Sequence, residues 1–484
     1  MKAVWLKRCH TNPLLSNPAA WESNMESAQA AGFHSLAKNI GTFNLGQKQV
    51  LIPEMCRAAS HLLAAAIRSF GIRARVLKTY QGLDLGREFT SGKECYPCQV
   101  TMGDILFFVQ KEKERLGCDF TPENYAYFMP ESNGPCRFGM YNKYQRLVLD
   151  SLPGFNKLKI ISLSARGNYS VAGILEKRKV RSFKKTVYLS IVVADILKRL
   201  LWRIRPYEKQ SGSADNLFEQ SMHTMENTFE THGDGKNFRF ILNKLKKIVH
   251  QGKDLIDPTI PRKPRIGIVG EIFLRMHTHA NQDLIRTLEK YGAEVVCASM
   301  AEWINFISYI EKRSASKRLR LNLKQIPHAR IKTELKKLLG CGIDLLYKEF
   351  QQGHVYRQIF SLLDLAADHK ISHLEHLLVE EDVFSFDIDT EACLSIAGIM
   401  AYAGHGYSGV VNVYPFTCMP GMTTSAIVKP LMAEQGLPYL DAPYDVSIQP
   451  GREAAIRTFM YQAAEHRKRN NDQCSNAILP LSVI

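Results

Sequence analysis

The apolar stretch Arg265-Ile266-Gly267-Ile268-Val269-Gly270 has the pattern of a buried parallel strand. It follows the proline-rich segment 257–264, which is typical of a domain boundary. Helical periodicity over residues 281–291 comes next, and after Gly292 a second apolar run covers residues 293–298. A strand, a helix and a strand in this order predict a βαβ unit with a parallel sheet.

The same alternation extends toward the C-terminus and also occurs in the N-terminal half. Further strands are predicted at 50–53, 74–77, 125–129, 158–163, 410–414 and 437–440. Helices are predicted at 60–70, 95–113 with an interruption near Gly103, 138–152, 390–402, 423–435 and 452–466. The fold class predicted is therefore α/β, with two Rossmann-like parallel-sheet domains.

The sequence between these two domains is charged and has helical periodicity without a convincing strand. The predicted organisation is an N-terminal segment 1–48, a first α/β domain 49–175, a helical linker domain 176–260, a second α/β domain 261–468 with a helical insertion at 303–376, and a polar tail 469–484. The two α/β domains have the same kind of pattern, so they could be distant copies of one design.

The composition excludes several classes of protein. The chain has 484 residues, 63 Lys and Arg against 47 Asp and Glu, and a formal net charge of +16. Hydrophobic residues make up 45% and charged residues 23%, which argues against disordered, collagen-like and coiled-coil chains. The most apolar stretch, 188–197, is interrupted by Asp195, so no membrane span is predicted. Because the first ten residues lack an apolar signal region, we expect a cytoplasmic protein.

Eleven cysteines occur in the chain, and this odd number without a secretion signal argues against a disulfide framework. Three of them stand beside proline and glycine, at a predicted helix start or after a predicted strand: Cys95, Cys136 and Cys418. Ligands of open parallel sheets collect at the carboxyl ends of the strands, and helix N-termini stabilise thiolates. Two of the three belong to the first α/β domain and one to the second, so we expect a site in the cleft between them.

Three thiolates with an open fourth position suit a [4Fe–4S] cluster with one accessible iron better than a closed structural zinc site. Three alternatives remain from the residues alone. Cys95-Tyr96-Pro97-Cys98 could be a thioredoxin-type redox dithiol, or all three cysteine segments could be turns with buried thiols. A third possibility is a non-catalytic scaffold or nucleic-acid-binding protein that uses the basic helices.

Five segments carry a family resemblance. They are Gly92-Lys93-Glu94-Cys95-Tyr96-Pro97 with Gly103-Asp104, the run from Phe128-Met129-Pro130 to Gly134-Pro135-Cys136-Arg137-Phe138-Gly139, Arg205-Pro206-Tyr207-Glu208, Gly267-Ile268-Val269-Gly270-Glu271, and Pro415-Phe416-Thr417-Cys418-Met419-Pro420-Gly421. Together they resemble the 2-hydroxyacyl-CoA dehydratase / benzoyl-CoA reductase superfamily. Within it they resemble most the activase-related branch, which is similar to the D-component of 2-hydroxyglutaryl-CoA dehydratase.

The resemblance implies an oxygen-sensitive protein whose iron–sulfur cluster lies in the interdomain cleft. Its ligands would be Cys95, Cys136 and Cys418, and the residues shaping its pocket would be Gly134, Pro135, Pro415 and Gly421. The family accepts low-potential electrons from an ATP-hydrolysing activator of the ASKHA type and passes them to a thioester or another hard-to-reduce substrate. A double-cubane cluster that recruits Cys56 or Cys98 is also conceivable.

Further residues complete the prediction. His405, between two glycines just before the strand that leads to Cys418, is a candidate proton donor. No phosphate-binding P-loop motif occurs in the sequence, so any ATP chemistry would belong to a partner. An acyl-CoA is the expected substrate class. We expect a dimer, with neither nucleic acid nor a membrane as a partner.

Overall fold

A computed structural model describes residues 39–90, 94–165, 168–171, 173–235, 237–322 and 328–477. Most of the predicted N-terminal segment and the end of the predicted tail, residues 478–484, lie outside these ranges. The motif residues Gly92 and Lys93, which precede Cys95, also lie outside them.

The chain divides into two compact units. The first contains the described residues up to Glu54, those of Leu63–Val187 and those of Phe229–Lys236. The second contains Met55–Leu62, Tyr188–Thr228 and the described residues from Asn237 onward. Residues 176–260, which the sequence predicts to be a helical linker domain, are thus divided between the two units.

The first unit is built on a five-stranded parallel sheet. Its strands are β1 (Ile40–Gly41), β2 (Gln49–Ile52), β3 (Ala74–Val76), β4 (Tyr125–Phe128) and β5 (Lys159–Ile161), in the order β1-β5-β4-β2-β3. The helices that cover it are α1 (Arg57–Arg68), α2 (Leu83–Glu88), α3 (Tyr96–Leu116) and α4 (Tyr141–Ser151). The central strands β2 and β4 are almost wholly buried, as expected for parallel strands covered on both faces.

Helix α3 runs through Gly103 without a break, in contrast to the predicted interruption. Gly103 instead allows α2 to approach α3 closely. A Cβ atom on Gly82 would lie 2.1 Å from the carbonyl oxygen of Gly103, and one on Gly86 would lie 1.9 Å from the carbonyl oxygen of Gln99. The glycines are therefore used for backbone-to-backbone packing, and they hold the first half of α3 in place.

The second unit contains a four-stranded parallel sheet. Its strands are β6 (Arg265–Gly270), β7 (Glu294–Cys297), β8 (Gly409–Pro415) and β9 (Tyr439–Tyr444), in the order β7-β6-β8-β9. Its helices, including two that continue into the first unit, are α5 (Lys177–Ile204), α6 (Ser213–His232), α7 (Phe238–Asp254), α8 (Ile272–Met276), α9 (Leu284–Lys290), α10 (Met300–Asn322), α11 (His328–Phe360), α12 (Ile371–Glu380), α13 (Glu391–Gly404), α14 (Met419–Glu434) and α15 (Arg452–Ala477). Helix α15 extends past Lys468, where the sequence predicted a frayed tail.

The two sheets share one strand order. Apart from the short edge strand β1, each has its second strand at one edge, followed by its first, third and fourth strands. The strand order therefore switches sides at the neighbouring strands β2 and β4 in one unit, and at β6 and β8 in the other. All of these strands remain parallel. Crevices at the carboxyl ends of such strand pairs are the usual ligand positions in open α/β sheets. Among the described residues, no helix has the length and apolar character required to cross a membrane.

Candidate functional site

All three predicted cysteine ligands occupy the same local position, the residue that caps the N-terminus of a helix. Cys95 caps α3, Cys136 caps the 3₁₀ turn Arg137–Met140 that leads into α4, and Cys418 caps α14. The sequence predicted that each would stand at a helix start or after a strand, and the structure confirms this placement. Backbone N–H groups and the positive end of a helix favour a thiolate at such a position.

Two of the three cysteines also hold equivalent positions in their units. Cys136 follows β4, which is the third strand of the first sheet when the edge strand β1 is left out, and Cys418 follows β8, which is the third strand of the second sheet. Each loop brings its cysteine to the carboxyl end of a strand, beside the point where the strand order switches sides. Cys95 has no such counterpart, because it follows α2 rather than a strand.

Cys95 and Cys98 lie one helical turn apart at the start of α3. Cys95 is 7% exposed and Cys98 is 1% exposed, and both pack into the core of the first unit against Tyr127, Met129 and Tyr141. Burial, followed by the nearby Cys95 and Glu94, raises the pKa of the Cys98 thiol far above its usual value. Cys98 is thus held as a neutral thiol.

The Cys136 segment lies close to this pair. The charge of Arg137 acts on the Cys98 thiol and partly offsets the rise in its pKa. Gly134 has φ +70°, a conformation that glycine adopts without strain, and its carbonyl oxygen accepts a hydrogen bond from the Cys136 N–H at 2.8 Å. With Pro135 between them, this tight turn fixes the backbone direction at Cys136. The structure therefore brings two of the predicted cysteine segments together within the first unit.

A buried acid, Asp104, lies further along α3. The Asp104 carboxylate accepts a hydrogen bond from the Tyr80 N–H at 3.0 Å, and burial raises its pKa to about 8. The Tyr80 hydroxyl in turn contacts the Tyr96 hydroxyl at 3.0 Å. The Asp104 and Tyr80 contacts tie the first turns of α3 to the loop that follows β3.

Cys418 is held by a different set of contacts in the second unit. Its N–H donates to the Pro415 carbonyl at 2.8 Å, and the residue before it, Thr417, has φ +63°. A β-branched residue in this left-handed region is strained, and such strain is typical of functional loops. Gly421 fits against Tyr414, whose Cγ atom would lie 2.3 Å from an added Cβ atom. The predicted pocket residues Pro415 and Gly421 therefore fix the entry to α14.

Polar contacts anchor the same helix to the sheet. The Asn412 side-chain amide donates to the Gly421 carbonyl at 3.0 Å and to the Ser425 hydroxyl at 3.1 Å. Ser425 and Tyr414 both donate to Asp441 on β9. The side chains that flank Cys418 on the outside are apolar and exposed, namely Phe416, Met419 and Met422. Cys418 itself is 5% exposed, in contrast to these three sequence neighbours.

A buried charged cluster at the same end of the second sheet was not found by sequence reasoning. Glu271 directly follows β6 and caps α8, accepting hydrogen bonds from the N–H groups of Phe273 and Leu274 at 3.1 and 2.9 Å. Arg275 is 2% exposed and donates to the Gly270 carbonyl at 2.8 Å. It lies 3.9 Å from Glu391, a carboxyl whose pKa is raised by burial to about 8.

The sequence contained only part of the signal for this cluster. Glu271 ends the motif Gly267-Ile268-Val269-Gly270-Glu271. Glu391, in contrast, is distant in the chain and begins a helix whose sequence is mostly apolar. Gly270 has φ +110°, and an added Cβ atom would lie 2.0 Å from the Val413 carbonyl oxygen on β8. Gly270 therefore permits the close contact between β6 and β8 and the turn at the end of β6, and it has no role in phosphate binding on this geometry.

The predicted position of His405 beside Cys418 needs correction. His405 ends α13 and precedes β8, and its Nδ1 lies 2.6 Å from the Ala401 carbonyl. Cys418 stands beyond the other end of the same strand. Since β8 has seven residues and a strand rises roughly 3.3 Å per residue, its ends are about 20 Å apart. The short sequence spacing suggested proximity, but an extended strand separates the two residues.

The remaining cysteine candidate, Cys56, is 2% exposed and belongs to the second unit. Of the three predicted ligands, Cys95 and Cys136 belong to the first unit and Cys418 to the second. Within the described ranges, no three or more His, Cys, Asp or Glu side chains form a group that could hold a metal ion. The predicted ligands are three helix-capping cysteines, and thiolates are the ligands that iron–sulfur clusters take.

Comparison with known proteins assigns no relative: neither a family model nor a curated protein matches this chain.

Proposed function

We propose that the chain is an iron–sulfur protein in which Cys95, Cys136 and Cys418 hold a [4Fe–4S] cluster. It would accept low-potential electrons from an ATP-hydrolysing activator of the ASKHA type. It would deliver them to a hard-to-reduce substrate, with an acyl-CoA of the 2-hydroxyacyl-CoA dehydratase kind as the first candidate. The observation that carries the proposal is the shared helix-capping position of the three cysteines.

The physical support is the environment that each cysteine receives. A helix N-terminus lowers the energy of a thiolate and offers N–H groups to its sulfur, and such hydrogen bonds tune the potential of a cluster. Tight turns at Gly134 and Pro415 fix the backbone, which keeps the sulfurs in place when the charge changes. A bound cluster would supply one-electron transfer at an open iron.

The residues around Cys418 would then exclude water. Phe416, Met419 and Met422 form an exposed apolar rim, and Cys418 is almost fully buried. An apolar surrounding lowers the local dielectric and controls solvent access to a metal site. The same rim suits contact with the apolar part of a thioester or with a partner protein.

The buried carboxyls in the second unit supply a source of protons at the same end of the sheet. Burial keeps the pKa of Glu391 at about 8, so this carboxyl holds its proton near neutral pH. Arg275 stands between Glu391 and the end of β6, which orients the carboxyl. Reduction or dehydration of a thioester requires proton transfer as well as electrons, and a carboxyl with this pKa is matched to that task.

The dithiol alternative receives less support. A thioredoxin-type pair needs an accessible N-terminal sulfur that becomes the thiolate, and here that residue, Cys95, is only 7% exposed. Cys98 also differs from the three proposed ligands in position, because it lies inside α3 and does not cap a helix. We therefore propose three cysteine ligands rather than a larger set.

Iron and acid-labile sulfide content of the full chain, purified without oxygen, tests the proposal. We expect about four irons per wild-type chain and loss of most of them in Cys136→Ser. The matched control is Cys118→Ser, because Cys118 is exposed on the same unit and lies outside the three segments. Wild-type protein without iron after anaerobic reconstitution, or equal iron in both variants, would overturn the proposal.

A further inference from the structure

A cavity of about 360 Å³ lies in the second unit, at the end of the sheet where the strands begin. Its wall includes Arg265 at the start of β6, Glu294 at the start of β7 and Ser408 directly before β8. Cys418 stands at the opposite end of β8. The cavity is therefore separate from the cysteine segment and from the charged cluster around Glu271.

Cations dominate this cavity, which we call the arginine cavity. Its six cationic side chains come from three distant parts of the chain: Arg199, Arg203, Arg262, Lys263, Arg265 and Arg467. Two carboxylates, Glu294 and Asp364, also belong to its wall. The Asp364 side chain is 64% exposed, so solvent screens its charge strongly. Arg199 is paired with the buried Asp368, so the positive excess of the lining is carried by the other cations.

Glu294 cannot neutralise the guanidinium groups around it. One of its oxygens accepts hydrogen bonds from the Tyr207 hydroxyl at 2.6 Å and from Arg262 at 3.1 Å. Its other oxygen lies 3.9 Å from Arg203, whose side chain is 13% exposed. A single carboxylate is thus shared by two arginines. Burial lowers the pKa of Arg203. The charge of Glu294 raises this pKa, and the charge of the neighbouring Arg262 lowers it further.

Three of the cations form no ion pair with a carboxylate among the described residues. Arg265 donates to the Tyr407 hydroxyl at 2.8 Å and lies over that ring, with its guanidinium carbon 4.3 Å from the ring centre. The Lys263 ammonium lies 5.7 Å from the centre of the Tyr207 ring. Arg467 donates to the Arg262 carbonyl. Their positive charges are held in place by neutral groups, which leaves them available to an anion.

Holding three cations that have no carboxylate partner among the described residues beside further guanidinium groups on one concave surface is unfavourable, because like charges repel in a partly buried site. Planar guanidinium groups match the oxygens of phosphate in two-point contacts, and such charge-assisted hydrogen bonds are the strong ones. We propose that the arginine cavity binds a small phosphate-bearing anion with at least two negative charges. This inference is independent of the iron–sulfur proposal.

The shape of the cavity restricts the ligand class. Its volume is at the lower end of the range of small-molecule pockets, about 300–1,000 Å³. A concave site of this size accepts a diphosphate or a small phosphate ester, whereas the backbone of a nucleic acid duplex requires an open groove. Val295, Val296 and Leu365 add an apolar part to the wall, which leaves room for a short carbon skeleton beside the phosphate.

Titration calorimetry on the full chain tests the site. The probes are pyrophosphate and glycerol 3-phosphate, at about 0.15 M salt where distant charges are screened. We expect saturable binding to the wild type and a weakening of about tenfold or more in Lys263→Gln and in Arg467→Gln, since each removes a charge-assisted contact. Stronger binding of pyrophosphate would assign the site to a free diphosphate, and stronger binding of the monoester to a phosphorylated metabolite.

The matched control is Lys253→Gln, which makes the same change of charge at an exposed position on α7 outside the cavity. Unfolding temperatures of all variants show whether they fold. If Arg467→Gln does not fold, Lys263→Gln alone tests the site. The proposal is overturned if millimolar amounts of both probes fail to bind the wild type. It is also overturned if Lys253→Gln weakens binding as much as the cavity variants do.

Discussion

Gly82 and Gly103 face each other so closely that a Cβ atom on Gly103 would lie 2.1 Å from the Gly82 carbonyl oxygen. We expect Gly103→Ala to destabilise the first unit by roughly 1–3 kcal/mol, because the extra methyl group forces α2 away from α3. Urea-induced unfolding measures the change. Gly353→Ala on α11 is the control, since no atom lies within 4 Å of its added Cβ, and this variant should be more stable by about 0.5–1 kcal/mol. Equal effects of the two variants would contradict the close contact.

The pKa of Asp104 predicts a pH dependence of stability. Its pKa is raised from 3.8 to about 8, with burial as the main cause. The folded state therefore holds a proton that the unfolded state releases, and the stability contributed by the protonated acid is lost as the pH rises from about 4 to about 8. Asp104→Asn cannot titrate and keeps an oxygen for the Tyr80 N–H.

Thermal unfolding of both proteins at several pH values in this range checks the expectation. The difference in unfolding free energy between Asp104→Asn and the wild type should move in favour of the variant as the pH rises. A difference that stays constant across the range would show that Asp104 is ionised in the folded protein.

Substitution of Cys98 distinguishes a role in core packing from a role as a cluster ligand. Because it is buried at 1% exposure with a raised thiol pKa, we expect Cys98→Ala to lower stability by about 1 kcal/mol through lost packing. Iron content should stay at the wild-type level in this variant, whereas Cys95→Ser should lose iron. Loss of iron in Cys98→Ala would favour the double-cubane arrangement instead.

Arg199 is predicted to be a major contributor to the stability of the second unit. Its guanidinium pairs with Asp368, donates to the Tyr356 hydroxyl at 2.6 Å, and is 5% exposed. Arg199→Met leaves Asp368 buried with no arginine partner, which we expect to cost about 3–5 kcal/mol in unfolding free energy. Arg178→Met, which breaks an exposed pair with Glu176, should have no detectable effect. Chemical denaturation of the two variants compares them directly.

The periodicity of the sequence was sufficient to locate most of the sheets. Strands β2, β4, β6 and β8 are apolar runs, and each was predicted to within one or two residues. The edge strand β1 has two residues and the helix α2 has six, which is too short for a periodic pattern. Gly103 was misleading because the same residue that interrupts a helix elsewhere permits close helix packing here.

The candidate site was predictable only where its parts are contiguous. Each cysteine carries a local signal of proline and glycine, and its helix-capping position followed from that signal. The predicted position of His405 near Cys418 was wrong because residues that are near in sequence lie far apart when an extended strand separates them. The Glu271 and Glu391 pair and the arginine cavity escaped prediction because their members are brought together only by tertiary packing.

The matching places of Cys136 and Cys418 have a historical consequence. Two units with one strand order, each with a cysteine after the third strand once β1 is set aside, have the arrangement that duplication of a single segment would produce. Under such a duplication Cys136 and Cys418 would correspond to each other, whereas Cys95 would have no counterpart in the second unit.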